Sequence, residues 1–175
     1  MKQLYSILIA VVALVVLAQT AVEAAPPLQS WSDIFTKGRF QVLSKFGSAA
    51  VLDKETGLVW ERSPDTGTRD WFSALSHCYT REVGGRKGWR LPTIEELASL
   101  VDTSQASPPL PLGHPFTLTS AQEDGFYWSA TTFANSAGGA WVVNFFDGDV
   151  TTAAKASSSL FVWCVRGGQG IDGVQ

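Results

Sequence analysis

Chemistry in this chain could begin at His77 and Cys78, a base beside a thiol. A thiol becomes a nucleophile when a neighbouring imidazole takes its proton. Adjacent residues on a helix point about 100° apart, however, so these side chains do not face each other. Cys164, the second of two cysteines, offers Cys78 a different fate as half of a disulfide. Glu95 and Glu96 could form an acid–base pair. Glu96 stands three residues after Thr93, the spacing of a capping box, and Glu95 lies on a first helical turn where acids are favoured. His77 and His114 are the only histidines and fall on different elements, so no metal site and no cofactor are expected. Asp147-Gly148-Asp149 carries two carboxylates, but calcium needs more oxygen ligands at fixed spacing. That tripeptide reads as a hairpin turn, and no catalytic residue is predicted.

Binding is the better-supplied chemistry. The chain has seven tryptophans, and flat aromatic faces stack on sugar rings. Trp60, Trp89, Trp128 and Trp163 sit at strand or strand-edge positions that suit a core, and Trp71 sits on an apolar helix face. Trp31 and Trp141 are the ones expected at the surface. Arg166 closes the last apolar run, where an arginine braces a loop or meets a ligand. Arg81, Arg86, Lys87 and Arg90 lie within ten residues and predict at most a local basic patch. The net charge of −3 gives no basic footprint for nucleic acid.

These residues must be held by a small set of elements. Phe40, Val42 and Leu43 predict a first strand. Ala50-Val51-Leu52 and Leu58-Val59-Trp60 flank a turn ending in Gly57, which reads as a hairpin. Over residues 69–82 the period changes: Trp71, Leu75, Cys78 and Tyr79 follow the spacing of an amphipathic helix, stopped by Gly84 and Gly85. A second helix opens at the Thr93–Glu96 box, uses Ile94, Leu97, Leu100 and Val101 as its apolar face and ends near Asp102. Residues 103–119 read as a long surface loop. Four strands follow, at 126–129, 140–146, 150–154 and 160–166, and the last is apolar on both faces, as in a central, covered strand. The order predicts an α+β domain with two helices on a small, mostly antiparallel sheet.

The ends set the compartment. Lys2 precedes an apolar run from Ile7 to Ala18, and small residues lead to a cleavage position after Ala24. That order is a secretory signal peptide, too short to span a membrane. The predicted organisation is a signal peptide at 1–24, an N-terminal lead at 25–37, a domain at 38–170 and a tail at 171–175. The protein is expected to be exported, periplasmic or secreted, with membrane contact only through the signal peptide. An oxidising compartment favours a Cys78–Cys164 bridge.

Five motifs occur in fixed order: Gly57-Leu58-Val59-Trp60, Gly88-Trp89-Arg90-Leu91-Pro92-Thr93-Ile94-Glu95-Glu96-Leu97, Tyr127-Trp128-Ser129, Ala140-Trp141-Val142-Val143 and Cys164-Val165-Arg166-Gly167. Together they resemble the bacterial domain family typified by the C-terminal domain of the Legionella collagen-like adhesin. The resemblance implies a C-type-lectin-like fold, in the branch that holds formylglycine-generating enzymes, with one disulfide tying the first helix to the last strand. It also implies an adhesion-type role, since that adhesin is linked to sulfated polysaccharides. Binding surfaces on such folds come from the late loops, here 103–125, 130–139 and 147–159, whose Ser, Thr, Asn, Gly and Asp offer adaptable hydrogen bonds. The ligand-contacting set predicted there is Trp141, Asn144, Asp147 and Asp149, with Arg166. Departures limit the transfer: the Glu-Pro-Asn and Trp-Asn-Asp motifs of calcium-dependent lectins, a collagen-like repeat and the copper-holding cysteine pair are all missing from the sequence.

The reading is therefore an exported, non-catalytic binding module for a glycan or protein surface, with oligomerisation left open. A structural component of an envelope assembly is the alternative, and an enzyme of the formylglycine-generating type comes third.

Overall fold

A computed structural model describes residues 38–167. The signal peptide, the lead with Trp31 and the tail predicted above lie outside the described residues.

The chain forms β1 (Phe40–Val42), a short 3-10 turn (Ser44–Phe46), β2 (Ala50–Asp53) and β3 (Val59–Glu61). Helix α1 (Trp71–Thr80), helix α2 (Ile94–Ala98) and a one-turn helix α3 (Ser120–Glu123) follow. Then come β4 (Phe126–Thr132), β5 (Gly139–Asn144), β6 (Val150–Ala154) and β7 (Val165–Arg166). The strands make two antiparallel sheets, β1-β2-β3-β7 and β4-β5-β6. The architecture is α+β, as expected, and the disulfide joins Cys78 of α1 to Cys164 just before β7.

Two apolar clusters fill the interior. One gathers Trp60, Leu97, Leu100, Tyr127, Phe145 and Trp163, and the other Ala74, Cys78, Trp89, Trp128, Val162 and Cys164. The last apolar run feeds both, with Trp163 entering the first cluster and its neighbours Val162 and Cys164 the second. It is not the continuous central strand expected from its composition. Leu160 bridges Arg69, Phe161 bridges Tyr127, and only Val165–Arg166 joins a ladder, at the end of the four-stranded sheet beside β3. A segment that crosses from one sheet to the other cannot extend either ladder along its whole length. The apolar pattern reports its burial faithfully but not its pairing.

Three further details depart from the sequence reading. Helix α1 stops at Thr80, before Gly84, because Arg81 turns extended with its N–H donating to the Cys78 carbonyl. Gly84 is required elsewhere: with φ +57° it packs against the Phe46 carbonyl, where a side chain would clash. Tyr79, assigned to the buried stripe, is 82% exposed. The buried stripe of α1 is only Ala74 and Cys78, and Tyr79 lies one step round from it on the last turn.

Helix α2 keeps its predicted capping box, with Thr93 Oγ1 accepting from the Glu96 N–H and Glu96 Oε2 from the Thr93 N–H. It ends at Ala98 rather than Asp102 and continues as tight turns to Val101. Residues 103–119 are not wholly at the surface. Leu110 and Phe116 are buried, and the Phe116 ring meets Trp163 edge-on at 4.9 Å.

Candidate functional site

The predicted ligand residues do not converge. Trp141 and Asn144 lie three apart on β5, and side chains alternate along a strand, so they fall on opposite faces. Trp141 is half-buried with its ring edge-on to Phe133 at 5.2 Å. The Asn144 side chain accepts from the Phe146 N–H, and Asp147 accepts from the Asp149 N–H. Those bonds shape the β5–β6 hairpin, as the turn reading of Asp147-Gly148-Asp149 expects. Arg166 sits in the other sheet opposite Val59, its guanidinium passing Gly88.

The basic run likewise makes no patch. Arg90 grips Glu96 with two hydrogen bonds, at 2.6 and 2.7 Å, and also donates to the Gly167 carbonyl. Arg86 lies over the Phe46 ring, and Lys87 faces Glu82 at 4.0 Å. Burial works to raise the Glu96 pKa, but the hydrogen bonds from Arg90 and the Thr93 N–H outweigh it and hold the carboxyl low. Glu96 is a clamp for the helix start. Cys78 is committed to its disulfide and offers His77 no thiol. Among the described residues no group of three or more His, Cys, Asp or Glu comes together as metal ligands.

What the fold does assemble is the flank of α1. Asp70 opens the helix by accepting from the Ser73 N–H at 3.0 Å and the Ser73 hydroxyl at 2.8 Å. Ala74 and Cys78 face inward, so Phe72, Ser76 and Tyr79 face outward by helical spacing. Phe72 is 57% exposed and lies seven residues, about 10 Å, from Tyr79 on that face. A concavity of about 480 Å³ runs along this flank, lined by Arg69, Phe72, Ser73, Ser76, His77 and Thr80.

Its floor is charged. Arg69 donates to Asp65 at 3.2 Å and to the Gly67 carbonyl, and His77 Nε2 stands 4.0 Å from the same carboxylate. The Gly67 N–H and then Arg69 hold the Asp65 carboxyl below its ordinary range. Burial, reinforced by the charges of Arg69 and Arg81, lowers the His77 pKa more than Asp65 raises it. His77 is a neutral imidazole at neutral pH.

A second cleft, about 560 Å³, opens at the other end of α1 between Ser48, Glu61, Arg62, Arg81, Glu82 and Thr117. Glu61 is buried at its base. Its Oε1 accepts from Arg81 Nε at 2.6 Å and its Oε2 from the Cys164 N–H at 3.0 Å. Burial pushes the Glu61 carboxyl up, and the hydrogen bonds from Arg81 and Cys164 only partly offset it. Arg62 is fixed by carbonyls of Pro115 and Ser48, which orients its guanidinium at the cleft wall. The carboxylate couples α1 directly to the backbone beside the disulfide. Sequence reasoning missed Glu61 and Arg62 because their partners lie well away in sequence, whereas Asp65 pairs locally, with Gly67 and Arg69, in a run that carries no motif.

The sequence model of the family described as the Lcl C-terminal domain matches residues 49–166. The chain belongs to this family. The match covers about two thirds of the 175 residues and spans every element from β2 onward. The Lcl C-terminal domain is adhesin-associated rather than a known family of enzymes. None of the curated proteins matches the chain. In this Lcl C-terminal domain three of the five family-like motifs place their tryptophans, Trp60, Trp89 and Trp128, in the core, and the fifth brings in buried Cys164 next to the buried Trp163.

Proposed function

We propose that this protein is an exported, non-catalytic binding module that recognises a glycan or protein surface through the flank of α1. The observation that carries the reading is a concavity on this flank walled by the exposed Phe72 ring, Arg69 and three hydroxyl residues, with a second exposed ring, Tyr79, on the outward face of the same helix. Rings on one helix face offer stacking surfaces. Ser73, Ser76 and Thr80 supply hydroxyls, and the Arg69 guanidinium adds fixed donors. That mixture suits sugar rings better than a flat protein surface. The disulfide suits an oxidising compartment and hence export. Of the late-loop set, Asn144, Asp147 and Asp149 share the β5–β6 hairpin, where their side chains bond the turn's own backbone, while Trp141 and Arg166 stand apart, and we place the contact on α1 instead.

Glycan-array binding by the purified protein, with and without calcium and at two salt concentrations, tests this reading. Retention of particular glycans, independent of calcium, is the expected result. Silence across the array would remove the glycan and favour the second reading, a structural component of an envelope assembly. That second reading draws on the uncovered edge of the three-stranded sheet.

A further inference from the structure

Strand β6 is the free edge of its sheet. The opposite edge, β4, is covered: Trp128 N–H donates to the Phe161 carbonyl and Ala130 N–H to the Pro92 carbonyl. On β6 the phase of the ladder is set by two bonds, Asn144 N–H to the Asp149 carbonyl and Lys155 N–H to the Gly138 carbonyl. Residues of odd number therefore point their backbone groups at β5, and Val150 and Thr152 point theirs outward. No hydrogen-bond partner among the described residues meets those outward groups. Thr151 and Thr152 are exposed although they lie on opposite faces of the sheet, so the strand is uncovered on both faces as well as along its edge.

Proteins blunt such edges with lysine, proline or strong twist. Val150-Thr151-Thr152-Ala153-Ala154 contains no charge and no proline. The one cation nearby is turned away: Lys155 Nζ donates to Thr132 at 2.7 Å and lies 4.0 Å over the Trp71 ring, nearly buried. Val150 itself is 45% exposed, and Phe146 at the hairpin tip is 53% exposed.

We propose that β6 pairs with β6 of a second copy of this chain, antiparallel about a two-fold axis at Thr151, to make one six-stranded sheet. Three features select a second copy. A neutral strand of β-branched and small residues complements itself and carries no charge to choose a foreign partner. Centring on Thr151 lets Val150 of each copy exchange both backbone bonds with Thr152 of the other. The Ala154 carbonyl, already taken by the Ser158 N–H, is not needed. The acids fix the direction: antiparallel pairing sets Asp149 opposite Ala153, whereas parallel pairing would stack Asp149 against its own copy. This inference does not depend on glycan binding.

Sedimentation velocity of the purified protein over a wide concentration range tests it. The expected result is a monomer–dimer equilibrium that Thr152→Pro weakens by at least about tenfold, since proline removes an outward donor. Thr151→Lys keeps every donor and sets like charges face to face, and the same loss is expected with an unchanged melting temperature. It decides the matter if Thr152→Pro fails to fold. A wild-type monomer at every concentration, or a dimer indifferent to Thr151→Lys, would overturn the proposal.

Discussion

Burial lowers the pKa of both His77 and His114, with Arg69 and Arg81 adding to the effect at His77. An imidazole whose folded pKa is depressed binds its proton less readily in the folded than in the unfolded state. Its stabilising contribution is complete above the unfolded value of 6.5 and is lost as pH falls through the folded one. Asp65 and Glu96, also depressed, extend the loss at lower pH. Glu61 has the opposite sign: its raised pKa gives a contribution present at low pH and lost as pH rises. The melting temperature is therefore predicted to fall between about pH 7.5 and 5.5. His77→Gln with His114→Gln should flatten that fall, and an equally steep fall in the double variant would refute the assignment. At this scale the sequence told little. In the sequence His77 stands as a neighbour of Cys78 and as one of two histidines, and its surroundings, Asp65, Arg69 and Arg81, are assembled by the turn into α1 and the helix itself.

Among the elements, α1 and its bridge carry the fold. The disulfide closes a loop of 86 residues, worth about 4 to 5 kcal/mol in the chain-entropy account. Urea unfolding of Cys78→Ser with Cys164→Ser should show a loss of that order, and wild-type stability in that variant would mean the bridge is incidental. Helix α2 rests on its box, so Thr93→Ala should cost about 1 kcal/mol in the same assay.

Elements were legible where their signals are local. The Thr93–Glu96 box and the hairpin around Gly57 needed no tertiary information. The pattern that opens α3, Thr119 followed by Gln122, was equally local but hidden in a Pro-, Ser- and Thr-rich run; the Gln122 side-chain Oε1 accepts from the Thr119 N–H. Tyr79 falls outside the buried stripe because that stripe is narrow, Ala74 and Cys78 alone, and Tyr79 lies about 100° round the helix from Cys78. The run from Leu160 to Arg166 was read as one strand because burial on both faces looks the same whether a segment pairs or crosses.

Across the whole molecule, motifs and cysteines were enough to indicate the family and the α+β architecture, because core tryptophans and a bridge leave a fixed order in the sequence. The contact surface was not legible in the same way. Trp141 and Asn144 were grouped by their place beside the late loops, yet three positions along a strand puts them on opposite faces. The flank of α1 gathers Arg69, Phe72, Ser73, Ser76, His77 and Thr80, an outward face whose residue types carry no motif. Its rings, by contrast, are exposed and belong to neither core cluster, Phe72 touching only the edge of Trp71 among the aromatic rings described, so removing them leaves the fold in place.

The most direct test of the binding account is a comparison of wild type with Phe72→Ala plus Tyr79→Ala on one glycan array at matched concentration. The account predicts specific glycan retention by wild type and a loss of at least about tenfold in the double variant, with the melting temperature unchanged. Equal retention by the two proteins would contradict it.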